Sequence, residues 1–80
     1  MQNEPVGVVN DAVGQTISKL RQNRGLSQEE LADRAGIHRT YVSQLERGIK
    51  SPTLAVLIKI ARALDTKPSE LLRAVEDQLD

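Results

Sequence analysis

The sequence predicts an all-α protein built from five short helices. Apolar residues recur at intervals of three and four, which places them on one face of a helix, and residues 54–64 give the clearest example. Glycines at positions 25, 36 and 48 separate the first segments with this spacing, as glycine commonly does at helix C-termini. No segment has the strict alternation of apolar and polar residues that is typical of a strand.

Length and composition exclude several classes of protein. Eighty residues are enough for one small domain with a modest apolar core. The chain has no cysteine and one histidine, so we expect no disulfide, no metal site and no cofactor. No apolar segment approaches the roughly 20 residues that span a bilayer, and the N-terminus lacks a secretory leader, so we expect a cytoplasmic protein with no membrane partner. The single aromatic residue, Tyr41, disfavours recognition of single strands by base stacking.

The charges are unevenly distributed although the formal net charge is zero. Residues 19–50 carry seven basic and four acidic side chains, and the rest of the chain carries four basic and seven acidic ones. A basic central segment indicates a surface that attracts a polyanion. The same charges are also compatible with ordinary solvated helix surfaces, so charge alone does not decide between these interpretations.

The first helix is expected to follow a flexible arm. Residues 1–10 have no helical period, so we expect an N-terminal arm there and a folded domain over residues 11–80. Helix 1 should begin at Asp11, because apolar residues recur at helical spacing from Val13 onwards.

Helices 2 and 3 are predicted to form a helix-turn-helix unit. The segment from Ser27 to Glu30 has the pattern of a capping box, in which the Ser27 hydroxyl accepts from the backbone amide of Glu30 and the glutamate side chain returns the bond. Helix 2 therefore starts here and ends at Gly36. Only Gly36, Ile37 and His38 connect it to helix 3, so the two helices should cross steeply.

Helix 3 is expected from about His38 to Arg47. At about 100° per residue, Val42 and Leu45 share one side, with Tyr41 at its edge. The opposite side consists of Thr40, Ser43, Gln44 and Arg47, and Arg39 lies at the exposed N-terminal end. Two or three apolar residues would anchor the helix and leave most of its surface free to contact a polar partner.

Helices 4 and 5 complete the predicted fold. Thr53 is a candidate cap for helix 4, which has the strongest amphipathic pattern of the chain. The predicted core face of helix 4 consists of Leu54, Leu57, Ile58, Ala61 and Leu64. Helix 5 should begin near Lys67, with Pro68 in its first turn. Its apolar residues are Leu71, Leu72, Val75 and Leu79.

The central segment LSQEELADRAGIHRTYVSQLERG, with the following SPTLAVLIKIARAL, resembles the phage repressor and Cro family, also called the XRE family. The residues that carry the resemblance over positions 12–72 are Gln28, Ala32, Gly36, Val42, Leu45 and the run Glu46-Arg47-Gly48. The resemblance implies a lambda-repressor-like domain and a transcriptional regulator that binds double-stranded DNA sequence-specifically. In the run HRTYVSQLERG and in overall size, the sequence resembles the controller proteins of restriction–modification systems. Phage repressors and DNA-binding antitoxins are the alternative subtypes.

By this resemblance, Arg39, Thr40 and Gln44 face base edges in the major groove, with Ser43 as a weaker candidate. Arg39 can donate two hydrogen bonds to guanine O6 and N7, and Gln44 can pair with adenine N6 and N7. Thr40 can offer its hydroxyl or its methyl to thymine. The alternative for each is an ordinary solvated side chain.

The resemblance also implies contacts with the DNA backbone. The residues expected to contact phosphates are Ser27, Gln28, His38, Tyr41, Arg47, Lys50 and Ser51. Gln28 lies in the first turn of helix 2, where free amides favour an anion. Ser27 is alternatively only a cap, and the Tyr41 ring only a cover for the core. Glu46 would repel phosphate, and the resemblance implies that it forms an ion pair with Arg21 instead.

Specific DNA binding by so small a domain usually requires a dimer that reads two half-sites about 34 Å apart. We therefore expect a homodimer on a (pseudo)palindromic operator, associating through helices 4 and 5. The residues predicted for the dimer interface are Val56, Ile60, Leu72, Val75 and Leu79. The alternative is that helix 5 only closes the monomer core.

Two other functional classes are the alternatives to a DNA-binding regulator. The same fold can serve as an antitoxin or protein-interaction module, which would bind a protein tightly and DNA weakly. An enzyme is not expected, because no paired carboxylates lie in an evident pocket and the sequence has no nucleophile–base set or glycine-rich phosphate loop. We expect no sensory domain after residue 80 and hence no small-molecule ligand. A DNA-binding protein of this kind would associate with the nucleoid.

Overall fold

The computed structural model describes residues 5–80, which form five helices and no strand. The helices are α1 (Val6–Asn23), α2 (Gln28–Ala35), α3 (Arg39–Glu46), α4 (Leu54–Ala63) and α5 (Pro68–Leu79). The predicted all-α, five-helix fold is confirmed. Helix α1 packs against α3 and α5, α2 packs against α3 and α4, and α4 packs against α5. No helix within residues 5–80 is long and apolar enough to cross a membrane.

Helix α1 begins five residues earlier than predicted. Val6 is its first residue and Pro5 is its N-cap, so the expectation of an arm over residues 1–10 is wrong for residues 6–10. Residues 1–4 of that expected arm lie outside the described part of the chain. Glycine and β-branched valines are poor helix formers, so the sequence of residues 6–9 did not predict a helical turn. The Pro5 carbonyl accepts hydrogen bonds from the backbone amides of Val8 and Val9, and the Val9 side chain packs against the core. This packing outweighs the low helix propensity of the segment.

The turn between α2 and α3 occupies three residues. Gly36 follows α2 with φ +69°, a left-handed conformation that glycine adopts at no steric cost. The Ile37 amide donates to the Ala32 carbonyl at 3.0 Å, which closes the C-terminus of α2 in a Schellman arrangement. His38 is the N-cap of α3, but its side chain makes no capping hydrogen bond. The predicted helix–turn–helix connectivity is therefore present.

One apolar core holds the five helices together. Its largest fully buried side chains are Ile17, Leu31, Val42, Leu45, Ile60, Leu64 and Leu71, which come from all five helices or from residues directly flanking them. Because each helix is short, burial of these side chains, rather than helix propensity alone, stabilises the helices. Every buried side-chain polar atom within residues 5–80 has a hydrogen-bond partner.

The core face of α4 is rotated relative to the prediction. Leu57, Ala61 and Leu64 are buried as expected, but Ile60 is fully buried too. Leu54, predicted to face the core, is instead 69% exposed. Helix α4 packs between α2 and α5, so its buried face is wider than one stripe and is centred nearer Ile60. The repeat in the sequence fitted both rotations, and only the tertiary neighbours distinguish them.

Candidate nucleic-acid interface

Helix α3 is anchored by two side chains and exposes most of its remaining surface. Val42 and Leu45 are both 0% exposed, which fixes the rotation of the helix on the core. Arg39 and Thr40 are exposed, and Ser43 and Gln44 are half-buried. The two exposed residues lie in the first turn of α3, the end with which recognition helices read bases.

A shallow groove lies on this exposed face of α3. It has a volume of about 460 Å³ and is lined by His38, Thr40, Tyr41, Gln44 and Lys50. Two residues predicted to contact bases, Thr40 and Gln44, therefore share one groove with three residues predicted to contact phosphates. The half-buried Tyr41 packs partly against the core, so its ring has the covering role that the sequence left open.

The predicted ion pair between α1 and α3 is present. Arg21 donates from Nε to Glu46 Oε2 at 2.7 Å and from Nη2 to Glu46 Oε1 at 3.0 Å. Its remaining terminal nitrogen, Nη1, donates to the Leu26 carbonyl at 2.7 Å. The Glu46 carboxylate raises the pKa of Arg21, chiefly through this hydrogen bonding. The bidentate geometry fixes the C-terminal end of α3 relative to α1.

Gln28 joins this ion pair, which the sequence did not predict. Its Nε2 donates to Glu46 Oε1 at 3.1 Å, so the Glu46 carboxylate accepts hydrogen bonds from both Arg21 and Gln28. Gln28 is half-buried at the start of α2, where the free backbone amides of the helix favour an anion. No local pattern could have indicated the contact, because 18 residues separate its partners.

Ser27 acts as a helix cap. Its Oγ accepts from the Glu30 amide and its own amide donates to Glu30 Oε1, both at 3.0 Å, so the predicted capping box is present. The bond from the Ser27 backbone amide is the main cause that lowers the pKa of Glu30, followed by the Ser27 hydroxyl. The hydroxyl is thus already engaged in the fold, and its phosphate contact stays a prediction.

The segment after α3 places further basic and polar residues beside the same surface. Arg47 and Lys50 are exposed, and Arg47 Nε lies 3.4 Å from the Ser43 carbonyl. Ser51 Oγ hydrogen-bonds Asn10 Oδ1, which ties this segment to the first turns of α1. The contact with Asn10 was not predicted, because residues 1–10 were expected to form an arm.

The residues predicted for a dimer interface do not form one exposed surface. Ile60 is 0% exposed and Val75 is 4% exposed, so the predicted interface role is wrong for both: they belong to the monomer core. Val56 and Leu79 are half-buried against that core. Leu72 is 45% exposed and lines an apolar groove of about 600 Å³ between α5 and Val9.

Two short helices joined by a three-residue turn, the second exposing a polar face, define a helix-turn-helix protein. Residues 17–71 match the helix-turn-helix family HTH_3, and the chain belongs to this family, the XRE family. The control protein C.SmaI of Serratia marcescens is 38% identical over 64 residues, which span 80% of this chain and 76% of that protein.

Solved structures of restriction–modification controller proteins have the same fold. C.AhdI from Aeromonas hydrophila is similar with a TM-score of 0.76 and 44% identity, over 78% of this chain and 94% of that chain. C.Esp1396I, solved as a tetramer in complex with its natural 35 base-pair operator, has a TM-score of 0.82 and 27% identity. That similarity covers 89% of this chain and 93% of the other.

Proposed function

We propose that this protein is a transcriptional regulator that binds double-stranded DNA sequence-specifically through the major groove. The observation that carries the proposal is the rotation of α3: Val42 and Leu45 are fully buried, while Arg39 and Thr40 point away from the core. An α-helix fits the major groove of B-DNA, where each base pair presents a distinct set of donors, acceptors and methyl groups. The operator complex of the similar protein C.Esp1396I supports the same use of the fold.

We assign roles to individual residues on the exposed face of α3 and on the segments beside it. Arg39, Thr40 and Gln44 contact base edges, with Ser43 at the margin. The residues that contact phosphates are Ser27, Gln28, His38, Tyr41, Arg47, Lys50 and Ser51. Phosphate contacts set register and orientation, whereas base contacts carry sequence information. Because Thr40, Gln44 and Lys50 line one groove, a single DNA strand could contact Thr40 and Gln44 through its bases and Lys50 through a phosphate.

We further propose that the protein binds as a homodimer to an operator with two-fold symmetry. Exposed apolar side chains on α4 and α5 favour this arrangement: Leu54 is 69% exposed and Leu72 is 45% exposed. Leu54 replaces Ile60 in the surface predicted from the sequence, because the observed rotation of α4 turns Leu54 outward. The similarity to C.SmaI and C.AhdI favours a controller protein of a restriction–modification system as the subtype.

Selection of bound sites from random duplex DNA at a stated salt concentration tests the proposal. The expected result is an enriched motif with two related half-sites about one helical turn apart, centre to centre. Recovery of no motif, together with tight capture of a protein partner, would instead support the interaction-module alternative. A half-site without its symmetry mate would contradict the homodimer while leaving base reading by α3 intact.

A further inference from the structure

A polar network joins α1, α2 and α3 behind the proposed DNA-binding surface. Glu46, the last residue of α3, has a side chain only 6% exposed, and Arg21 of α1 binds it through two nitrogens. Since Arg21 is itself held by the Leu26 carbonyl, the carboxylate has little freedom to move. Gln28 of α2 completes the network by donating to Glu46 Oε1 at 3.1 Å.

The chemistry of the acceptor fixes the orientation of the Gln28 amide. An ionised carboxylate only accepts hydrogen bonds, so the amide must turn its NH₂ group, not its carbonyl, toward Glu46. That NH₂ group has two hydrogens, and Glu46 takes one of them. A phosphate oxygen is also only an acceptor, so the second N–H is the group that remains for it.

We propose that Glu46 is a positioning residue for DNA binding, which holds the Gln28 amide so that its free N–H is preset for a phosphate oxygen. The inference rests on the proposed function and deepens it, because it assigns a binding role to a residue that does not itself touch DNA. Without Glu46, the Gln28 side chain would sample several rotamers and both amide orientations, and DNA binding would have to order it.

The competing interpretation is that the Gln28–Glu46 bond only stabilises the fold. The two interpretations differ in where the two residues are coupled. If the bond is purely structural, the effects of replacing Gln28 and Glu46 are non-additive in thermal stability alone. A positioning role couples them in DNA affinity, so that Gln28 contributes to binding only while its acceptor is present.

The test requires a background that removes the acceptor without leaving a buried charge unpaired. Arg21→Met combined with Glu46→Leu replaces both charged groups by apolar side chains of similar size, which proteins often tolerate without loss of stability. Thermal unfolding of the full-length chain establishes that this background is folded. Gln22 offers a matched control, because it is an exposed glutamine on α1 whose side-chain amide donates to the Ser18 hydroxyl and not to a carboxylate among residues 5–80.

The first measurement is an NMR spectrum of the side-chain amides of the free protein. The two protons of any primary amide differ in chemical shift, because rotation about its C–N bond is slow. For Gln28 the separation should exceed that of an exposed glutamine, and one proton should exchange more slowly with solvent, because it is bonded to a buried carboxylate. The excess separation and the slow exchange should be lost in the Arg21→Met/Glu46→Leu background. Equivalent behaviour of Gln28 and Gln22 in the wild-type spectrum would overturn the proposal without reference to any variant.

The second measurement is affinity for the selected duplex by fluorescence anisotropy. Gln28→Ala should weaken binding about tenfold in the wild-type chain but less than twofold in the apolar background, while Gln22→Ala changes neither. Equal losses in both backgrounds would overturn the positioning role alone. Failure of the wild-type chain to bind any duplex would overturn the proposed function and this inference together, so the two failures are distinguishable.

Discussion

Arg39 and Lys50 carry the same charge but meet different chemistry on the proposed DNA surface. Arg39 is the first residue of α3, where its guanidinium can donate two parallel hydrogen bonds to one guanine. Lys50 lies beyond α3 at the edge of the groove that contains Thr40 and Gln44. A lysine ammonium acts mainly as a point charge toward phosphate and does not distinguish bases.

Substitution of these two residues should therefore have different consequences. Arg39→Ala is expected to cost about 1–3 kcal/mol of binding free energy and to relax the preference at one position of each half-site. Lys50→Ala should weaken all sequences similarly and reduce the slope of log affinity against log salt by about 0.9 for each protomer's lost phosphate contact. Binding assays on single-base variants of the operator across a salt series measure both effects. Identical profiles for the two variants would contradict the division of roles.

Glu30 should make the stability of the fold depend on pH in the acidic range. The capping box lowers the pKa of its carboxyl below the ordinary value of 4.5. Because the folded pKa lies below the unfolded one, the contribution is fully present above the unfolded value and is lost as pH falls through the folded value.

The matched variant for this effect is Glu30→Gln, whose side chain still accepts a hydrogen bond but does not titrate. Melting temperatures of the two proteins should converge as pH falls from the ordinary pKa of 4.5 through the lower folded pKa, since the wild-type advantage is lost over that interval. A difference that stays constant from neutral to acidic pH would show that the charge of Glu30 does not contribute.

The position of α3 depends on how closely α1 approaches its C-terminal end. Gly14 of α1 lies directly beneath that end, and a Cβ built there would meet the Leu45 carbonyl oxygen and lie 2.7 Å from the Glu46 carbonyl oxygen. Both obstacles are backbone atoms, so a side chain could be accommodated only by moving the helix. Gly14 thus contributes to the orientation of the recognition surface although it is buried and apolar.

Gly14→Ala is expected to destabilise the fold by about 1–3 kcal/mol and to weaken DNA binding through displacement of α3. Gly7→Ala is the control, because nothing lies within 4 Å of a Cβ at that position of the same helix. That substitution should leave stability unchanged or raise it by up to about 1 kcal/mol. Chemical denaturation measures both, and equal behaviour of the two variants would contradict a close approach at Gly14.

Local signals in the sequence were sufficient to predict most of the helix boundaries. Ser27 and Glu30 form the capping box, and Gly36 and Gly48 have positive φ at the ends of α2 and α3. The start of α1 was missed because Val6–Val9 have low helix propensity, and the benefit of packing Val9 on the core is not a local property. The sequence alone does not distinguish such a turn from an arm.

The candidate site was predictable only in part for the same physical reason. The rotation of α3 follows from the two buried positions 42 and 45, which the pattern identified. The prediction for Ile60 was wrong because α4 packs against both α2 and α5, which buries more of this helix than the single apolar stripe in its sequence. The contact between Gln28 and Glu46 joins two helices, so it becomes visible only once the fold brings them together.

As a whole, the molecule leaves apolar side chains exposed on α4 and α5. Leu72 lines the groove beside Val9, Val75 and Leu79, while Leu54 protrudes from the first turn of α4. Single exposed apolar residues are common on proteins, so their exposure alone does not establish an interface. Their significance depends on the symmetry of the bound DNA, because a two-fold operator requires a two-fold protein.

Leu72→Glu should convert the proposed dimer to a monomer and weaken operator binding more than tenfold, because it places a charge in the apolar contact. Thermal stability should change by no more than about 0.5 kcal/mol when the two proteins are compared as monomers, since the side chain is largely outside the core. Gln15→Glu adds the same charge at an exposed position of α1 and should change neither the association state nor operator binding. Analytical ultracentrifugation measures the association state, and an unchanged dimer in the Leu72 variant would contradict this interface.

The most direct test of the central claim, that α3 reads bases in the major groove, is binding to operators with 7-deazaguanine at single positions. This base keeps Watson–Crick pairing and the minor-groove edge but lacks the N7 acceptor of the major groove. The wild-type protein should lose affinity at one guanine in each half-site, and Arg39→Ala should be insensitive to the same replacement. Full wild-type affinity at every substituted guanine would contradict the assignment of Arg39 to a guanine in the major groove.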